Sequence, residues 1–325
     1  MAPTRRTFLK ATVAGSVFLD PTAQPTPRAT ELPRSVLGRT KERVTILGLG
    51  CAYAGGRVDE QTTRATLETA LEGGVRYFDS APEYTKAEER LGPVVKSVRD
   101  EVFLTTKTYA QEAVHAEKDL MQALANLQTD HVDLFLQHGV GLDSVSDPDT
   151  ILGKGGSLEF MRKAKAKGLT RFIGMSVHAP HRTALRLLRA SDEWDVVMPF
   201  VNYVSRAQGT VESDGADMFA LAREKNLGIV AMKVLGGNPG LLADDYDRAF
   251  RYALSVEGVA CAVIGVMNRH HVTRAVQAAR DFCPMTGQEM ADTIKLGEEL
   301  VRAKSAKATT LDRHGAFGYR PIVTA

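Results

Sequence analysis

The stretch EVFLTTKTYAQEAVHAEKDLMQALANLQTDHVDLFLQH, residues 101–138, decides the fold. It opens on a short hydrophobic run that ends at Lys107, continues through Leu120, Leu124 and Leu127, and closes on a second hydrophobic run that ends at His138. Spacings of three and four place side chains on one face of a helix, and alternate residues of a strand share a face. The stretch therefore reads as strand, helix, strand, and a helix between two strands implies that the strands run parallel. Period two then aligns Phe103, Thr105 and Lys107 on one face of the first strand, and Leu134, Leu136 and His138 on one face of the second.

Upstream, VRYFDSAPEY (75–84) follows the same plan, with Val75, Tyr77 and Asp79 on one face and Tyr84 just beyond. An acid, a phenol, an amine and an imidazole thus sit where successive strands run out, and ligands of parallel sheets collect at those carboxyl ends. Further out, VTILGLGC (44–51) reads as a strand, and Asp59 starts a helix that Gly73-Gly74 ends. A helix spans 88–98. After a Gly- and Asp-rich loop (139–156), helix 157–167 leads to strand 171–178, helix 180–190, strand 195–203, helix 214–225 and strand 227–237. Helix 243–256, strand 258–266, helix 270–281 and a further helix 286–303 complete the series. Eight strand–helix units predict an α/β fold, a (β/α)8 TIM barrel over residues 34–325 with an extra C-terminal helix and tail. An open, doubly wound sheet is the alternative, but GLGCAYAGG (48–56) does not fit the G-x-G-x-x-G expected of its dinucleotide-binding form.

With 325 residues, 44% of them hydrophobic, the chain can bury a large core. Its 41 basic and 39 acidic residues leave a net charge of +2 with no basic stripe, which argues against nucleic acid. Cys51, Cys261 and Cys283 lack the spacing of a zinc site and read as small buried hydrophobes. The first 33 residues differ in kind. Thr-Arg-Arg-Thr-Phe-Leu-Lys (4–10) precedes an apolar run, Ala11 to Leu19, and a stretch rich in Pro and Thr. This resembles a bacterial twin-arginine export signal carried on Arg5 and Arg6, with the export machinery as partner and a periplasmic or otherwise exported location; unused, it leaves the protein cytoplasmic. The run is shorter than the roughly 20 residues that span a bilayer, so the segment is an address and the chain is not a transmembrane protein.

FDSAPEY-x4-EERLG (78–92), TTK (105–107) and LQH (136–138), together with SVLGRTKERVTILGLG, closely resemble the aldo-keto reductase family over nearly the whole chain after residue 34. The resemblance implies NAD(P)-dependent reduction of an aldehyde or ketone by hydride transfer, or oxidation of the alcohol. Tyr84 is then the proton donor, Lys107 the cation that eases its ionisation, Asp79 the partner of that lysine, and His138 the group that orients the carbonyl. It further implies dinucleotide contacts from Ser176, Asn202, Met232, Lys233, Gly265, Asn268 and Arg269, with NADP as cofactor and NAD as an option. Here the chain departs from the family: Val177 follows Ser176, Met198 stands for a glutamine, Met232 for a stacking aromatic residue, and Gly265, Val266 and His271 stand where 2′-phosphate ligands often lie. Arg269 and Arg274 are candidate substitutes or plain surface charges.

Export bears on two further expectations. A soluble dinucleotide is hard to exchange outside the cytoplasm, so the cofactor is expected to be held firmly. An oxidising compartment also permits a Cys51–Cys261 bridge between neighbouring first and eighth strands, although two buried thiols are the preferred reading. A cofactor-binding sensor or regulatory subunit with weak turnover is the main rival function, and an unrelated barrel isomerase or lyase the second. Substrate choice is assigned to loops 139–156 and 204–213 and to the tail from 304, with Phe317, Tyr319 and Arg320.

Overall fold

A computed structural model describes residues 31–142, 145–178, 181–204, 218–237 and 241–307, the side chains of 304–307 excepted. The amino-terminal export-type segment, most of loop 204–213, and Phe317, Tyr319 and Arg320 lie outside the described residues.

The chain enters as an antiparallel hairpin, β1 (Arg34–Val36) against β2 (Arg43–Thr45). Eight parallel strands then close into a barrel: β3 (Leu47–Gly50), β4 (Tyr77–Asp79), β5 (Phe103–Thr108), β6 (Val132–Val140), β7 (Thr170–Val177), β8 (Val196–Pro199), β9 (Gly228–Ala231) and β10 (Val259–Gly265), with β10 pairing back onto β3. The segment expected as one strand over 44–51 is split. Val44 and Thr45 belong to the hairpin, the ladder restarts at Leu47, and Cys51 opens a 3₁₀ turn.

The split has a packing reason. Leu37 and Val44 pack with Tyr77, Phe103, Leu134, Val196, Val230 and Ala260 in the barrel interior, so the hairpin stoppers the amino-terminal end of the strands. Its turn needs Gly38, whose φ is +48°, because a Cβ there would stand 2.4 Å from the backbone nitrogen of Gly228. With one end plugged, only the carboxyl-end mouth is left to take a ligand.

The outer ring comprises α1 (Glu60–Glu72), α2 (Ala87–Val95), α3 (Ala113–Leu127), α4 (Pro148–Leu152), α5 (Ser157–Ala166), α6 (Arg182–Ala190), α7 (Met218–Glu224), α8 (Tyr246–Ser255) and α9 (Arg269–Arg280). Local chemistry sets their starts: the Asp59 carboxylate accepts from Thr62 N–H, Asp147 from the N–H groups of Asp149 and Thr150, and Asn268 from His271 N–H. Helix α4 lies within the segment read as loop 139–156. The helix expected over 88–98 gives way after Val95 to a 3₁₀ turn, Lys96–Glu101. Strands β8 and β9 are shorter than their hydrophobic runs, and Phe200 and Met232 extend the pairing by an isolated bridge.

The extra C-terminal helix, α10 (Gly287–Lys307), packs Met290, Ile294, Leu300 and Val301 against Tyr203, Leu242 and Tyr252. No helix among the described residues is long and apolar enough to cross a membrane.

Cys51 and Cys261 are free and buried. Cys261 faces the barrel interior, whereas Cys51 packs in the outer layer. Along the β3–β10 ladder Ala262 pairs with Leu47 and Gly265 with Gly50, so Cys261 is level with position 46 and the two thiols are offset by about five strand positions, roughly 16 Å. That offset forbids a bridge. Cys283, expected to be buried, is exposed.

Candidate active site

The face-sharing read from period two is realised in three dimensions. Tyr77, Phe103, Leu134 and Leu136 point into the barrel, and each line ends at a polar residue at the mouth. Lys107 and Asp79 are 1% and 3% exposed. Lys107 Nζ lies 2.7 Å from Asp79 Oδ1 and donates to Oδ2 and to the Ser80 carbonyl at 2.8 Å each. A buried ion pair needs close geometry and further hydrogen bonds; Oδ2 and the Ser80 carbonyl supply them here, while Oδ1 is held by the charge contact alone. This pairing fixes the ammonium 5.0 Å from the centre of the Tyr84 ring.

Tyr84 closes the 3₁₀ turn Pro82–Tyr84 that follows β4, and Pro82 presets φ at its first position. The next residue, Thr85, takes φ 54° and ψ −110°, an unusual conformation for a β-branched side chain. Two contacts hold it there: its hydroxyl donates to the Gly55 carbonyl, and Lys86 N–H donates to the same oxygen at 3.3 Å.

His138 lies on β6 and is 3% exposed. Its ring stacks on Tyr109, with centres 4.1 Å apart and planes 5° apart, and meets the Tyr84 ring edge-on at 6.0 Å. Nδ1 is 3.1 Å from Glu83 Oε2. Burial pushes the His138 pKa below the ordinary histidine value, with the Glu83 hydrogen bond opposing it. Burial also acts to raise Glu83, but the hydrogen bond to His138 and its charge outweigh this and hold the carboxyl below the usual range. Glu83 is therefore a carboxylate at neutral pH, and the proton it faces belongs on His138 Nδ1. Nearby His178 is pushed down to about 3 by burial, with the charges of His138, Lys233 and Lys107 adding to the shift. Its ring lies 4.8 Å from that of Phe200.

Period two marked the four strand-end residues; Glu83, Tyr109, His178 and Phe200 also line the mouth. Extending the same alternation by one step finds two of them, since Tyr109 follows Lys107 and His178 follows Ser176 at a spacing of two.

The residues assigned to the dinucleotide fall into two groups. Ser176, Asn202, Met232 and Lys233 stand at the ends of β7, β8 and β9. Ser176 Oγ accepts from Gly139 N–H at 3.0 Å, which leaves its own O–H to donate to a carboxamide oxygen. Asn202 Nδ2 donates to the Lys233 carbonyl at 2.9 Å. Met232 is 8% exposed and belongs to the interior cluster. Burial, then the charge of Lys107, lowers the pKa of Lys233, and the Asp79 carboxylate opposes the shift. Gly265, Asn268 and Arg269 lie at the end of β10 and the start of α9. Gly265 runs so close beneath Tyr53 that a Cβ would stand 2.7 Å from its ring, and Arg57 covers that ring at 5.4 Å. Asn268 caps α9. Arg274 turns to Asp247, at 3.7 Å, and packs over Tyr246. The donors at the strand ends and the Lys233 amine fit a nicotinamide dinucleotide.

The closed parallel barrel thus carries a lysine-backed tyrosine and a histidine at its carboxyl-end mouth, groups suited to proton transfer. The chain belongs to the aldo/keto reductase family, whose sequence profile matches residues 46–250, and on that membership it is an NAD(P)H-dependent oxidoreductase. L-Galactose dehydrogenase of Arabidopsis thaliana is 26% identical over 230 residues, covering 66% of this chain and 68% of that enzyme. Methylglyoxal reductase of Yersinia pestis is 35% identical over 164 residues, 49% of this chain and 52% of that enzyme, so this chain spans about half of the latter. A Klebsiella pneumoniae aldo-keto reductase solved in complex with NADPH superposes with a TM-score of 0.66 at 21% identity, covering 82% of this chain and 95% of that one. At that identity the likeness concerns the fold.

Proposed function

We propose that the protein reduces a small aldehyde or ketone with NADPH, that NADH is its second choice, and that Tyr84 is the proton donor. The observation that carries this reading is the Asp79–Lys107 ion pair lodged against the Tyr84 ring. A free tyrosine has a pKa of about 10 and is a poor acid near neutrality, and a fixed ammonium stabilises the phenolate that remains after donation.

When bound, the reduced nicotinamide supplies the hydride that reaches the carbonyl carbon. Tyr84 gives its proton to the oxygen, the C=O becomes an alcohol, and the phenolate recovers its proton from solvent. Lys107 holds the charge on the phenolate, and Asp79 holds Lys107. Ser176 would orient the carboxamide of the bound cofactor, and Lys233 and Arg269 would hold its phosphates. NADP as cofactor is supported by the family membership and by the NADPH bound to the Klebsiella enzyme.

The test is nicotinamide absorbance during mixing with a panel of aldehydes, ketones and sugars, for the wild type and for Tyr84→Phe. Wild-type turnover that falls by about 10²–10⁴ in the variant, with dinucleotide binding retained, supports the reading. A variant of undiminished rate overturns the role of Tyr84. Bound cofactor without turnover of any carbonyl favours a sensing subunit.

The location proposed is outside the inner membrane, reached by the twin-arginine route as a folded protein with its dinucleotide in place. The Arg5-Arg6 segment supports that reading. Dinucleotide released on denaturing extensively dialysed protein agrees with it, and empty protein does not.

A further inference from the structure

Glu83 takes no step in the reaction as described, yet it sets a charge beside the reacting groups. It precedes Tyr84 in the turn after β4, and its Oε2 lies 3.1 Å from His138 Nδ1. The Glu83 side chain is 29% exposed and that of His138 is 4%, so the carboxylate is the solvent-side member of the pair. A carbonyl oxygen bound at the other ring nitrogen would stand about 8 Å from it, two hydrogen bonds and the width of an imidazole away.

The other charges around the mouth decide how strongly that carboxylate is felt. Lys107 is neutralised by Asp79, 2.7 Å away. Burial pushes His138 and His178 down, the second to about 3, so neither ring is a cation at neutral pH. Lys233 at the end of β9 lies on the side assigned to the dinucleotide, and so does Arg57, which covers the ring of Tyr53 above Gly265. Asp119 on α3 has the same sign as Glu83; burial raises its carboxyl, a Thr108 hydrogen bond opposes this, and the charge of Glu83 adds to it. Tyr109 and Phe200, stacked beside His138 and His178, bring no charge. These groups leave the carbonyl side of the mouth net negative at Glu83.

We infer that Glu83 is a specificity-determining residue that admits neutral or cationic carbonyls and disfavours those that carry a carboxylate, such as 2-oxo acids and uronates. The inference deepens the proposed carbonyl chemistry and rests on it. Like charges about 8 Å apart near a protein surface repel enough to cost an anionic substrate about tenfold in kcat/KM, and salt screens part of that cost. A neutral hydroxyl-bearing substrate escapes it, because a carboxylate oxygen accepts from its O–H.

The test compares phenylglyoxylate with its amide, two carbonyl compounds of similar shape that differ by one charge next to the reacting carbon. Their intrinsic difference in reactivity is the same for every variant, so the readout is the change in their kcat/KM ratio. Glu83→Gln keeps an oxygen for the His138 ring and removes only the charge, and it should favour the anion by about tenfold relative to the amide. In about 1 M salt the gain should shrink to about threefold or less. Glu83→Asp retains the charge and should leave the ratio near that of the wild type. A ratio unchanged in Glu83→Gln overturns the inference, and so does one that moves as far in Glu83→Asp. Calorimetry of benzoate and benzamide binding to the dinucleotide-loaded protein carries the same comparison without turnover. A tenfold relative gain for benzoate in Glu83→Gln, with no carbonyl reduced by any variant, would sink the proposed reaction and leave the role of Glu83 standing; no gain would overturn that role.

Discussion

A Cβ placed on Gly55 would stand 1.7 Å from the carbonyl oxygen of Tyr84. The turn after β3 is thus in backbone contact with the turn that carries the proposed acid, and only glycine permits the approach. Gly55→Ala must push the two turns apart, and a shift of about 1 Å at a reacting group can cost about 10²-fold in rate. The expected outcome is a sharp fall in kcat with a stability loss of about 1–3 kcal/mol in urea titration. Unchanged kcat would show that the contact does not position Tyr84.

Removing Lys107 should separate two effects. Lys107→Met leaves Asp79 charged and buried without its cation, which typically destabilises by about 3–5 kcal/mol, and it also removes the support of the phenolate. Tyr84→Phe removes only a hydroxyl from a half-buried ring. Thermal unfolding should therefore place Lys107→Met well below wild type and Tyr84→Phe close to it, while both lose turnover. Restoring the stability of the lysine variant by Asp79→Asn, without restoring activity, would complete the separation.

Much of this arrangement was legible because a barrel strand obeys a short rule. Asp79, Lys107 and His138 could be placed from alternation alone, since each ends a line of interior side chains. The hairpin at 34–45 was not legible: VTILGLGC is an unbroken hydrophobic run, and the break at Ile46 arises from Val44 turning inward to stopper the barrel. Glu83 could not be found either. It neighbours Tyr84 in a turn without periodicity, and its meaning lies in a partner 55 residues away. The offset of Cys51 and Cys261 likewise follows from ladder register, which strand order alone does not supply.

Export is tested in the sequence outside the barrel. Replacing Arg5 and Arg6 together by lysine should retain the protein in the cytoplasmic fraction of a bacterial host with a twin-arginine pathway, since that receptor-read address depends on the arginine pair. The purified variant should keep full reductase activity, because the barrel is untouched. Equal amounts of wild type and variant in the cytoplasm would remove the proposed location without touching the chemistry.

Acid should destabilise this fold through its mouth. His178 is 4% exposed and its pKa is pushed to about 3, against 6.5 for an ordinary histidine. Between those values the unfolded chain binds a proton that the folded chain refuses, so stability rises with pH across the window and is lost as pH falls from 6.5. At one and a half pH units below 6.5 the loss from this residue is about 2 kcal/mol. His138 is shifted in the same direction and adds to it. Urea unfolding at about pH 7 and pH 5 should therefore show a steeper loss for wild type than for His178→Gln, by about 2 kcal/mol. Parallel losses would mean that His178 takes up its proton in the folded state, and that the mouth admits more water than its burial indicates.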